Sequence, residues 1–201
     1  MLSFARLATL SVFAVSALAA PMKRNVEDAA VTSLSNVIDK LTTKLTPVTD
    51  ALAAITAQEA DLLAAVSPLT QELSCILDGA VAEISDLVAL PVNEVLAAAD
   101  GTILSVADVA GIVAPVMVTV IDALNSVLLI AQTTGVTDAV EPVLQTVGAA
   151  LCPVLSTTAP IVDGLLVAAA PILIPVLGTA DILGLHPVLD LVEGVAGSLG
   201  L

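Results

Sequence analysis

Between Pro47 and Pro68 the apolar residues Leu52, Ile55, Leu62, Leu63 and Val66 recur mostly three, four or seven positions apart, and Asp50, Glu59 and Asp61 fill positions between them. That spacing gathers apolar side chains on one face of an α-helix. Proline punctuates the pattern. A Pro-Val or Pro-Leu step occurs at Pro47, Pro68, Pro91, Pro115, Pro142, Pro153, Pro175 and Pro187. The first four are 21, 23 and 24 residues apart, and intervals near 11 appear later, as from 142 to 153. Eleven residues make about three helical turns, so apolar positions return to the same face.

Proline fits the first turn of a helix, where its missing N–H costs nothing. Thr46 and Ser67 then read as N-caps, and Asp50 suits the positive end of a helix. The pattern predicts an all-α fold. Helices of about 15–20 residues, many starting at or near a proline, fold back as an antiparallel bundle. Asp78-Gly79 and Asp100-Gly101 are expected turns. The alternative for some prolines is a kink within a longer helix. A β reading rests on Val116-Met117-Val118-Thr119-Val120-Ile121, but abundant Ala and Leu, the lack of aromatics and sparse turn signals favour helix.

The N-terminus reads differently. Arg6 is the one charge before Lys23, Leu7 to Leu18 form a short apolar run, and Ala17-Leu18-Ala19 places small residues where signal peptidase cuts. The run is too short to span a bilayer, which takes about 20 residues. Residues 1–19 are therefore expected to be a secretory signal ending at Ala19. Residues 20–24 form a short pro-segment, and its Lys23-Arg24 end resembles the dibasic site of fungal kexin-type proteases. An ordinary surface pair is the alternative. The remaining 25–201 read as one helical domain.

Processing would sharpen the composition. Phe4 and Phe13 fall in the signal, so the mature chain has no aromatic side chain. Lys40 and Lys44 are its only bases against twenty acids, a formal charge of −18. Such a chain repels phosphate backbones, which excludes nucleic acid as a partner. Without rings it cannot stack on bases or sugars. Interface anchors are usually Trp, Tyr or Arg, and none remains. With 58% hydrophobic residues the chain is not disordered. Residues 25–100 carry twelve acids and two lysines, whereas 101–201 carry eight acids alone. A polar half is thus followed by an oily half. The longest purely apolar stretch, Gly164 to Ala180, holds Pro171 and Pro175 and is at the lower limit for a span. Transmembrane insertion is not expected.

Cys75 and Cys152 are the only cysteines. In an exported chain an even pair most simply forms one disulfide, and the chain-entropy gain for so long a loop is about 4–5 kcal/mol at most. Two buried free thiols are the alternative. Catalytic, cofactor and metal sites are not expected. His186, the sole histidine, lies between Leu185 and Pro187, with no nucleophile-elbow motif in the chain. Carboxylate pairs such as Glu59 with Asp61, or Glu83 with Asp86, read as solvated helix faces, because a glycosidase cleft needs aromatic lining. Two cysteines and one histidine do not complete a zinc site.

The apparent signal, the segment ending in Lys23-Arg24, the lack of aromatics and the Ala/Val/Leu/Thr helices together resemble small secreted surface proteins of filamentous fungi. The contrast between 25–100 and 101–201 is similar to that of mushroom secreted proteins implicated in aerial hyphae and attachment. It is less similar to the helical hydrophobic-surface-binding and cell-wall mannoprotein family. The resemblance implies an extracellular, non-catalytic protein that acts at apolar surfaces or the cell wall, and self-association is expected from charge alone, as the acids lose their repulsion towards pH 4. The competing expectation is a carrier of small hydrophobic ligands in a cavity of the bundle.

Overall fold

A computed structural model describes residues 33–57, 61–98, 101–179 and 182–199, all within one unit, Val31–Leu201. The described residues form seven α-helices in order: α1 (Leu34–Ala53), α2 (Leu62–Leu87), α3 (Val92–Val95), α4 (Val106–Thr134), α5 (Thr137–Thr158), α6 (Leu165–Leu173) and α7 (His186–Leu199). A 3-10 turn, Ile174–Thr179, extends α6. The described residues hold no strand, only an isolated bridge between Ala97 and Ile103. The fold is all-α, and Val116–Ile121 lies inside α4. Helix wins there because Met117, Val120 and Ile121 all reach the core from one helical face.

The packed pairs are α1 with α2, α2 with α5, α5 with α4, and α4 with α1. This makes a four-helix ring of two hairpins laid side by side. Within the first hairpin the helices are antiparallel: Val37, Lys40 and Lys44 of α1 share a recess with Glu83, Ala80 and Ile76 of α2. Gly135, left-handed at φ 75°, turns the chain sharply from α4 into α5. The starts of α2 and α5 lie at the same end of the ring, where Asp61 and Leu62 meet Val136 and Ala139. Neighbours from different hairpins therefore run parallel. A second layer follows, with α6 packed on α4, and α7 packed on α5 and α6.

This layering explains the oily second half. Helix α4 is covered by α1, α5 and α6, so it buries Val109, Val113, Met117, Val120, Ile121, Leu124, Val127 and Leu128 around much of its girth. Outer helix α1 has one covered face: Leu34, Val37, Ile38, Leu41, Leu45, Val48 and Leu52 are buried, with Asp39, Lys40, Lys44 and Asp50 outside. Buried polar side chains among the described residues are Ser33, Thr49, Thr70 and Thr158, and no charged side chain is buried.

Most prolines do not start helices. Pro47, Pro68, Pro115, Pro142, Pro153 and Pro171 lie inside them. Five of these six are exposed, and Pro153 is half-buried. On the outer face the carbonyl that loses its N–H partner is open to water, which makes an internal proline tolerable. Thr46 and Ser67 are accordingly helix-interior residues rather than N-caps, and Thr46 Oγ1 donates to the Thr42 carbonyl (2.8 Å). The caps lie elsewhere. Asp61 accepts from the Ala64 amide (3.0 Å) at the start of α2. Ser105 and Asp108 form a reciprocal capping box on α4, with the Ser105 amide donating to Asp108 Oδ2 at 2.9 Å and the Asp108 amide donating to Ser105 Oγ at 3.2 Å. Hydrogen bonds from Ser105 hold the Asp108 carboxyl below its ordinary range.

Asp78-Gly79 is not a turn but part of α2. Gly101 does turn the chain, with φ 82° and its amide donating to the Ala98 carbonyl at 2.9 Å. Asp100 lies outside the described residues. The purely apolar stretch 164–180 does not form one long helix, since α6 gives way to the 3-10 turn at Ile174. Two other helices, α4 and α5, are long and apolar enough to cross a membrane by length and composition. In this fold they form the second hairpin of the ring.

Candidate functional site

The residues expected to guide processing, Ala19, Lys23 and Arg24, lie outside the described residues, as does Glu59. The two cysteines sit on neighbouring helices, Cys75 exposed on α2 and Cys152 half-buried on α5. They are not joined: both are free thiols, which corrects the expected crosslink. The α2–α5 seam is closed instead by apolar packing, with Leu73, Leu77, Leu144, Val147 and Leu151 fully buried. Cys75 is open to solvent, and partial burial pushes the Cys152 thiol above its ordinary pKa.

No acid–base or metal constellation forms around the other candidates. Asp61 caps α2. Glu83 faces Lys40 across the α1–α2 seam at 3.6 Å, an exposed ion pair of small energetic weight. Asp86 is exposed, and His186 opens α7. No group of three or more His, Cys, Asp or Glu among the described residues could hold a metal ion.

Two features remain that could meet a partner. The first is the end of the ring where α2 stops and α4 starts. Val88, Leu90, Val92, Ile103 and Val106 all lie in this connection, and Val88, Val92 and Ile103 are 57%, 55% and 60% exposed. The connection has a definite shape. The Leu90 amide donates to the Leu87 carbonyl (2.9 Å), the Ala98 amide to the Thr102 carbonyl (2.7 Å) and the Leu104 amide to the Leu96 carbonyl (2.8 Å). Val95 is buried beneath them. The start of α6 reaches the same end, where a Cβ on Gly164 would stand 3.9 Å from Val106 Cγ1. Leu63, Leu129, Val136, Val167, Ile172 and Ile174 are exposed elsewhere, and single exposed aliphatic residues are ordinary, but five in one short connection mark a contact surface.

The second is a groove of about 540 Å³ along the α2–α5 seam, lined by Ser67, Thr70, Gln71, Ser74 and Cys75 on one side and Pro142, Val143 and Thr146 on the other. It exists because small side chains recur along α2 where large ones would fill the seam. Thr70 Oγ1 donates to its own helix, to the carbonyl of Val66 (3.2 Å) or Ser67 (2.9 Å). Thr146 Oγ1 likewise donates to the Pro142 carbonyl (3.0 Å). Ser74 differs. Its Oγ is buried with no hydrogen-bond partner among the described residues. An unpaired buried hydroxyl costs about 1–3 kcal/mol. Sequence reading passed over both features. The aliphatic end looks like a set of unremarkable valines until the chain folds, and the groove needs two helices far apart in sequence.

No family model matches the chain, and neither a curated protein nor a solved structure matches it.

Proposed function

We propose that this is a non-catalytic, secreted structural protein that works at apolar interfaces or at the cell wall. The aliphatic end of the ring carries this reading. Val88, Leu90, Val92, Ile103 and Val106 offer an uncharged contact to wax, air or another apolar solid. Asp86, Glu94 and Asp108 lie in or beside the same connection and are exposed to water. The interior supplies more apolar surface once contact is made. The helices are held by aliphatic packing with free cysteines, so hairpins α1–α2 and α4–α5 can separate and turn their buried faces to the surface.

The test is the contact angle of a water drop on a fluoropolymer sheet coated with the purified protein and washed in hot detergent. A lasting fall in the angle is expected. The exposed side chains make a clean control, because Val88→Ser, Val92→Ser and Ile103→Ser together leave the core intact and are expected to slow adsorption. An angle equal to that of the bare sheet would overturn the reading.

A further inference from the structure

We propose that the α2–α5 groove binds a neutral aliphatic amphiphile, a chain or alicyclic body with one hydroxyl, ester or amide oxygen that accepts a hydrogen bond from Ser74 Oγ. This is a separate property from contact through the aliphatic end, which the groove residues do not form.

Size, wall chemistry and charge each narrow the ligand. At about 540 Å³ the groove falls within the usual range of small-molecule sites, about 300–1,000 Å³. Val143 and Pro142 give it an aliphatic wall, and the threonine hydroxyls beside them donate to their own helices. The wall carries no aromatic ring, so nothing there favours a flat aromatic ligand by stacking. Ser74 is the polar group left over: its Oγ is shielded and has no partner among the described residues, and it must turn about χ1 to reach a ligand in the groove that the residue lines. Ligand sites commonly set one placed polar group in an apolar wall, because the unpaired group favours a ligand that satisfies it.

Charge decides the head group. Lys40 and Lys44, the cationic side chains of the described residues, are on α1, and neither lines the groove. Glu72 on α2 and Asp138 and Glu141 on α5 are close in sequence to the lining residues. A carboxylate or phosphate head would find no counter-ion in this lining. A neutral oxygen needs none.

Cys75 stands in the wall and reports occupancy, with Cys152 as the internal control outside the groove. The experiment measures the maleimide alkylation rate of each thiol by mass spectrometry during titration with n-decanol, decanoate or n-decane, each below its solubility limit. Saturable slowing at Cys75 by n-decanol, with Cys152 unchanged, is expected, together with at least tenfold weaker action of decanoate. Ser74→Ala removes the donor and is expected to weaken n-decanol binding about two- to tenfold, the range of a neutral hydrogen bond. It should leave the fold at least as stable, because it also removes an unpaired hydroxyl. Thr146→Phe, at an exposed position of α5, fills the groove and is expected to abolish protection. No saturable slowing, slowing that survives Thr146→Phe, or equal protection by decanoate would overturn the site. An undiminished effect in Ser74→Ala would overturn Ser74 as the anchor and with it the ligand class.

Discussion

Glycine has opposite meanings at different points of this chain. Gly148 lies buried in α5, and a Cβ there would run into the Leu183 carbonyl. The absent side chain lets the segment before α7 rest directly on the helix, while Gln145 Nε2 donates to Glu141 Oε1 (2.9 Å) and to the Ile182 carbonyl (3.4 Å) nearby. Gly148→Ala is therefore expected to destabilise by about 1–3 kcal/mol, the usual cost of overpacking. Gly79 and Gly111 are also helical, but nothing lies within 4 Å of a Cβ added to either. There alanine is expected to stabilise by roughly 0.5–1 kcal/mol through helix propensity alone. Urea denaturation of the three variants checks both signs. Sequence alone does not separate these glycines, since each stands in a helix among aliphatic neighbours and only the path of residues 182–184 singles out Gly148.

At the scale of the element, the apolar spacing between Pro47 and Pro68 reports the helical class but not one helix: α1 stops at Ala53, Ile55 lies in the connection and α2 begins at Leu62. Helix boundaries were less legible. Proline reads as a start because a free N–H is dispensable there, yet Pro47, Pro68, Pro115 and Pro142 occupy exposed interior positions where water replaces the lost bond. The actual starts of α2 and α4 rest on Asp61 and on the Ser105–Asp108 box, short-range signals that were present but overshadowed by the repeat. The central role of α4 leads to a sharp contrast along one helix. Leu124 is fully buried and Leu129 is 62% exposed. Leu124→Ala is expected to cost about 2–5 kcal/mol, and Leu129→Ala to stay within roughly 0.5 kcal/mol of the parent. Denaturant midpoints of the two variants test which face of α4 the packing covers.

Across the whole molecule, charge and packing act in different places. The acids of the described residues remain on the outside, where they hold an aliphatic body in solution by mutual repulsion. With a formal net charge of −15 and a sequence pI of about 4.1, repulsion is large at neutral pH and vanishes as the carboxylates protonate. The protein is expected to self-associate as pH falls towards 4, through the aliphatic end, and to disperse again on return to neutrality. Light scattering across that range, repeated with Val92→Ser and Ile103→Ser, checks both the association and the surface that mediates it.

The amino-acid sequence by itself determined the helical class and, among the described residues, the acidic exterior, because each follows from local spacing and composition. It did not determine which helices would be neighbours. Cys75 and Cys152 come from helices that pack together, yet whether two thiols meet depends on the rotation of each helix about its axis, and the packing of Leu73, Leu77, Leu144 and Leu151 sets that rotation. The oily half likewise looked like surplus apolar surface when read along the chain. Only the tertiary structure turned it into interior, because α6 and α7 lay a second layer over the α4–α5 hairpin. The groove and the aliphatic end belong to the same level, made by residues whose contacts depend on packing in three dimensions rather than on local periodicity.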